Sequence, residues 1–100
     1  MYDVSYSGRV IEMLRQMIAR NPSHAARILA AVRELDNRLR VYPQFGQPLR
    51  DLTVEGAQLW IATVDPLIVH YIVVEADEAE RKRQVMIVRP FRPFRHSGIV

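Results

Sequence analysis

The spacing of apolar residues divides the chain into a helical first half and a second half rich in strands. Across residues 8–20, apolar side chains recur every three or four positions, which is typical of one face of a helix. The same spacing returns across residues 24–40 and predicts a second helix. Segments rich in Val, Ile and aromatic residues then predict three strands, at residues 59–64, 67–76 and 84–91.

The junctions between these elements carry residues that begin or end them. Residues 2–6 alternate in polarity and predict a first strand, after which Ser7 can cap the first helix. Pro22 ends that helix, and Ser23 is expected to cap the second one. Because the linker is so short, the helices must fold back as an antiparallel hairpin. Residues 43–48 predict a turn, and the charged residues 77–82 predict a hairpin loop.

This order of elements predicts an α+β fold with the sequence β-α-α-β-β-β. Two helices would form a hairpin packed on one face of a curved antiparallel sheet. A chain of 100 residues is the size of one compact domain, so we expect residues 1–100 to form a single domain.

The amino-acid composition excludes some kinds of chemical site and favours others. The chain has no cysteine, which excludes disulfides, cysteine-based zinc sites and thiol nucleophiles. Thirteen of its fourteen basic residues are Arg, whose planar guanidinium suits phosphate and carboxylate, and Lys82 is the exception. The longest nearly apolar stretch, residues 64–74, is too short to cross a bilayer, and residues 1–10 contain no secretory signal. We therefore expect a cytoplasmic protein with no membrane partner.

The element order and several short motifs resemble the RelE/ParE toxin superfamily of bacterial type II toxin–antitoxin systems. The segment LDNRLRVYPQFGQPL at residues 35–49 is similar to the end of that family's second helix and the turn into its sheet. The segments YDVSYS, LIVHYIV and VMIVR, at residues 2–7, 67–73 and 85–89, are similar to its first, central and last strands. These motifs together span nearly the whole chain, and they are more specific for the fold than for the activity.

The resemblance implies a toxin that cleaves mRNA on the ribosome without a metal ion or other cofactor. In RelE-type toxins, basic residues and a Tyr on the concave sheet face stabilise the phosphorane and transfer protons. Arg89 corresponds to a basic catalytic residue of the family, whereas Phe91 and Phe94 stand near the position where the family often has its Tyr. In place of that Tyr, His70 is a candidate base or acid. The alternative is that His70 is a sheet histidine hydrogen-bonded to a neighbouring residue.

The remaining candidate residues would bind RNA. The resemblance places Arg50 and Gln58 near the phosphate, although Gln58 stands where RelE-type toxins commonly have an Arg. Arg92 and Arg95 lie in a C-terminal segment, residues 89–100, that has no acidic residue and is compatible with contact to RNA or DNA, or to an acidic partner protein. The three histidines lack the spacing of metal ligands, so no metal site is expected.

Two alternatives to the ribonuclease remain open. ParE-like members, which inhibit DNA gyrase by contact alone, also lack a full set of basic residues and Tyr. A degenerate member would retain only antitoxin binding. In each case the resemblance implies a cognate antitoxin as partner, with the ribosome and mRNA, or DNA gyrase, as the target.

Overall fold

The computed structural model describes residues 1–51, 56–75 and 83–100. The predicted hairpin loop at residues 77–82 therefore lies outside the described residues. The elements, in chain order, are β1 (Asp3–Tyr6), α1 (Gly8–Arg20), α2 (Ala25–Val41), β2 (Gln47–Asp51), β3 (Ala57–Val64), β4 (Leu67–Val74), β5 (Gln84–Ile87) and β6 (Arg92–Pro93). Single turns of 3₁₀-helix at Pro22–His24 and Pro43–Phe45 precede α2 and β2.

The helices agree closely with the sequence. The bounds predicted for α1 are confirmed, and the hydroxyl oxygen of Ser7 accepts a hydrogen bond of 3.2 Å from the backbone N–H of Val10. The second helix begins and ends one residue later than predicted. Ser23 was expected to cap it, and this is wrong: Ser23 lies within the 3₁₀ turn, and the residue at the cap position, His24, makes no side-chain capping bond.

The sheet is mixed rather than purely antiparallel. Its strand order is β1-β5-β4-β3-β2, and β6 pairs with β4 beyond the end of β5. The predicted meander is confirmed, because β3, β4 and β5 pair antiparallel in succession. β1, however, pairs parallel with β5.

The parallel pair follows from β2, a strand that the sequence pattern does not predict. Residues 43–48 were predicted as a turn, yet β2 begins at Gln47 and pairs antiparallel with β3. Pro48 fits in β2 because an edge strand can leave one side of its backbone unpaired. Each hairpin reverses the direction of the chain. The additional strand β2 therefore makes β5 run parallel to β1, whereas an antiparallel neighbour was expected.

The core lies between the helices and one face of the sheet. Ile28, Leu35 and Leu39 of α2 are buried there against alternate residues of β4, including Tyr71. Tyr71 is fully buried in this core, and its hydroxyl donates a hydrogen bond to the carbonyl oxygen of Pro43. Trp60, opposite Tyr71 in the register, is also buried in this core.

No helix in the described part of the chain combines the length and the apolar character that a membrane crossing requires.

Candidate functional site

The sheet has one face against the helices and one face turned away from them. Along β4, buried residues alternate with half-buried ones, as expected when successive side chains point to opposite faces. The half-buried set lies on the side that we call the open face. By the strand register, the open face carries Ile68, His70 and Ile72 of β4, Ile61 and Thr63 of β3, Met86 of β5 and Arg92 of β6.

An interruption between β5 and β6 shapes the open face beside His70. The last pair of β5 joins Ile87 to Tyr71, and the next pair of the same ladder joins Arg92 to Ile68. Residues 69 and 70 of β4 therefore lie opposite the four residues 88–91. Such a bulge redirects the side chains of the strand that carries the extra residues. It also ends β5 at Ile87, whereas the sequence predicted a continuous strand to residue 91.

The bulge separates an apolar side chain from a charged one. Phe91 is only 4% exposed, and its ring centroid lies 6.4 Å from that of Tyr6, a residue packed against the core. Arg89 is exposed. The two residues thus differ: Phe91 is buried beside Tyr6, whereas Arg89 is exposed on the unpaired segment opposite residues 69 and 70.

His70, Arg89 and Arg92 form a group that we call the Arg–His cluster. Burial lowers the pKa of His70, and the positive charges of Arg89 and Arg92 lower it further. The imidazole is therefore neutral at pH 7. The Nδ1 atom of His70 is buried and has no hydrogen-bond partner within the described residues. Through this atom, His70 is therefore not the hydrogen-bonded sheet histidine that was the alternative interpretation.

The other predicted site residues lie in three different places. Arg50 is on the open face, because it pairs with Leu59, which in turn pairs with Ile72. Gln58 pairs with Val73 and so lies on the face of the sheet opposite to His70. Arg95 is exposed in the turn after β6, and the charges that act on His70 are those of Arg89 and Arg92.

The floor of the open face is apolar. Ile61, Ile68, Ile72 and Met86 are all half-buried there. Within the described ranges, no Tyr, Lys or carboxylate occupies an open-face position that adjoins His70 in the strand register. The cluster thus offers two guanidinium groups for an oxyanion and one neutral imidazole for proton transfer. Residues 1–51, 56–75 and 83–100 contain no group of His, Asp or Glu that could hold a metal ion.

The sequence itself contains a signal for the bulge. Pro90 and Pro93 fall inside the segment predicted as a last strand and its continuation. Proline cannot donate to a ladder, so two prolines three residues apart indicate an interruption of pairing. The pairing of β6 with β4, which follows the interruption, depends on contacts that no local pattern shows.

Comparison with known proteins adds no relative: no family model, curated protein or solved structure matches this chain.

Proposed function

We propose that this protein is the toxin of a bacterial type II toxin–antitoxin system, a RelE-like endoribonuclease that cleaves mRNA on the ribosome in the cytoplasm. The observation that carries the proposal is the Arg–His cluster, in which Arg92 shares the open face with His70 and the charges of Arg89 and Arg92 both favour the neutral imidazole. The β-α-α order and the motifs similar to RelE/ParE toxins support it.

The chemistry assigned to the cluster is the transfer of one proton during cleavage of the RNA backbone. Neutral His70 takes the proton from a ribose 2′-hydroxyl, and the 2′-oxygen attacks the adjacent phosphorus. The guanidinium groups of Arg89 and Arg92 bind the phosphate oxygens, whose charge grows in the transition state. As the bond between phosphorus and the 5′-oxygen breaks, the protonated imidazole returns its proton to that oxygen. The products are a 2′,3′-cyclic phosphate and a 5′-hydroxyl end.

A second candidate function is contact inhibition of DNA gyrase, as in ParE-like toxins. The apolar floor of the open face favours this candidate, because half-buried Ile and Met side chains suit a protein surface better than a phosphate chain. The absence of a second proton-transfer group beside His70, within the described residues, points the same way. Both candidates require a cognate antitoxin as partner, and loss of both activities would leave a degenerate member that only binds an antitoxin.

The test uses the purified chain, ribosomes programmed with a defined mRNA, and mapping of RNA ends. We expect cleavage with cyclic phosphate ends, and a loss of about a hundredfold or more in the variants His70→Gln and Arg89→Ala. The control Arg15→Ala alters an exposed residue of α1 and should leave the rate unchanged.

Cleavage that persists in His70→Gln would overturn the proton-transfer role. Intact mRNA together with gyrase inhibition by the wild-type chain would favour the ParE-like candidate. If neither activity appears and expression in a bacterial host is harmless, neither toxin function holds.

A further inference from the structure

A cavity of about 360 Å³ opens at the edge of the sheet where β2 begins. It lies between the C-terminal half of α2, the 3₁₀ turn before β2 and the segment of β3 that extends past its last pair with β2. Its lining includes Arg38, Phe45, Gln47, Ile61 and Thr63. The cavity is large enough to receive a small planar group.

In one wall of the cavity, the guanidinium group of Arg38 lies over the aromatic ring of Phe45. The guanidinium carbon of Arg38 lies 5.4 Å from the centroid of the Phe45 ring. Glu34, one helical turn earlier, accepts a hydrogen bond of 2.7 Å from Arg38 and holds the guanidinium in place. Proteins that bind single-stranded RNA stack bases on aromatic rings and on guanidinium planes of this kind.

The cavity lies at the edge of the sheet, where Arg38, Phe45 and Ala62 line it from the helical side. Its other wall includes Ile61 and Thr63, which belong to the open face and lead towards the Arg–His cluster. Ile61, which lines the cavity, is the register partner of His70. Thr63, also in the lining, pairs with Ile68, and Ile68 pairs with Arg92. Two strand spacings of about 4.8 Å therefore separate Thr63 from Arg92, or about 10 Å between their Cα atoms. A nucleotide whose phosphate binds Arg92 has a neighbouring nucleotide within reach of the cavity.

Polar side chains at the mouth of the cavity suit the edge of a base. Gln47 and Thr63 are both exposed there. An amide both donates and accepts hydrogen bonds, and so does a hydroxyl. Each can therefore meet the donors and acceptors of an unpaired base, which a phosphate chain alone does not offer.

From these contacts we infer that the cavity is a base-binding subsite for single-stranded RNA, one or two nucleotides from the phosphate held by the Arg–His cluster. The inference rests on the proposed ribonuclease function and names the part of its substrate that the cavity recognises. The phosphates would bind the arginines, and one unstacked base would lie against the Phe45–Arg38 pair.

The experiment compares two fluorescently labelled hexanucleotides at one fixed salt concentration by fluorescence anisotropy. One is a single-stranded RNA, and the other has the same backbone without bases. We expect the RNA to bind about tenfold more tightly, since stacking of a base on an aromatic side chain contributes on that scale. Phe45→Leu, which keeps an apolar side chain but removes the ring, should abolish the difference. Arg38→Gln should reduce it, and the control Arg15→Gln should preserve it.

The outcomes separate the two proposals. Equal binding of both oligonucleotides, weakened by Arg89→Ala, would overturn the base subsite and leave the phosphate site intact. Absence of binding to either oligonucleotide would overturn the base subsite, and the cleavage assay with programmed ribosomes decides the ribonuclease function separately. Gln47→Ala alters an exposed side chain, so a reduced preference for the RNA in that variant, with an unchanged circular dichroism spectrum, would support the subsite even if Phe45→Leu failed to fold.

Discussion

The side-chain amide of Asn21 pairs with the backbone of Val100 as one β-strand residue pairs with another. Its Nδ2 donates to the carbonyl oxygen of Val100, its Oδ1 accepts from the N–H of Val100, and both distances are 2.8 Å. The same Nδ2 also donates to the carbonyl oxygen of Met17 at 2.8 Å. Asn21 is only 5% exposed, so these bonds tie residues 97–100 to the junction of the two helices.

Replacing Asn21 should loosen this attachment. Asn21→Ala removes three hydrogen bonds and leaves backbone groups of Met17 and Val100 without partners, so we expect a loss of about 2–3 kcal/mol in unfolding free energy. Urea denaturation measures the loss, and hydrogen exchange should show a less protected Val100 N–H. Asn37→Ala, at an exposed position of α2, should change stability by less than about 0.5 kcal/mol. An equal effect of the two substitutions would contradict the assignment.

Gly46 occupies a position that admits no side chain. A Cβ atom there would lie 2.4 Å from the carbonyl oxygen of Ile61 and 2.6 Å from the hydroxyl oxygen of Tyr71. Gly46→Ala should therefore lower the unfolding free energy by about 1–3 kcal/mol, measured by thermal or urea denaturation. Gly8→Ala is the matched control, because nothing lies within 4 Å of its Cβ position and Ala favours the helix. It should leave stability unchanged or raise it.

Tyr6, Asp36 and Arg40 form a half-buried network that should weaken in acid. The Tyr6 hydroxyl donates to Asp36 at 2.6 Å, and Arg40 Nε donates to the same carboxylate at 2.7 Å. Burial alone would raise the pKa of Asp36, but the hydrogen bonds from Arg40 and Tyr6 outweigh it and lower that pKa. The carboxylate therefore contributes stability above its unfolded pKa of about 3.9, and this contribution is lost as the pH falls.

Removal of the Tyr6 hydroxyl tests this network. Tyr6→Phe should cost about 1 kcal/mol of unfolding free energy at pH 7, and the cost should shrink below about pH 4 as the carboxylate is protonated. Denaturant titrations at a series of pH values give the comparison. Tyr42→Phe, where the side chain is 60% exposed, is the control. A cost that is independent of pH would show that the carboxylate does not strengthen the bond.

The Arg–His cluster predicts a specific titration of His70. By NMR, its imidazole should titrate below the usual value of about 6.5, because the burial and the charges of Arg89 and Arg92 all disfavour the protonated form. Arg89→Ala and Arg92→Ala should each raise this pKa part of the way back, and Arg95→Ala should leave it unchanged. If neither Arg89→Ala nor Arg92→Ala moves it, the two arginines do not converge on His70.

The lowered pKa of His70 also has a consequence for stability. The unfolded chain binds the proton more readily than the folded one, so the contribution of His70 is fully present above about pH 6.5 and is lost as the pH falls below it. His70→Gln should flatten this part of the stability profile.

The chain's own sequence predicted the features that depend on neighbouring residues. The 3.6-residue period and the position of Ser7 were enough for α1, because helical hydrogen bonds and caps join residues three or four apart. The antiparallel order of β3, β4 and β5 followed in the same way from successive strands with short connections. Arg89, Arg92 and His70 were identified from their residue types and from the resemblance to RelE/ParE toxins.

Only the tertiary structure decided which side chains share a face. A shift of one residue along a strand moves every side chain to the other side of the sheet, so Gln58 and Arg50 could not be separated from the pattern alone. The parallel pairing of β1 with β5, and the bulge that places residues 88–91 opposite residues 69 and 70, join segments distant in sequence. Local periodicity encodes the two helices and the successive central strands, whereas strand pairing depends on the free energy of the whole packed sheet.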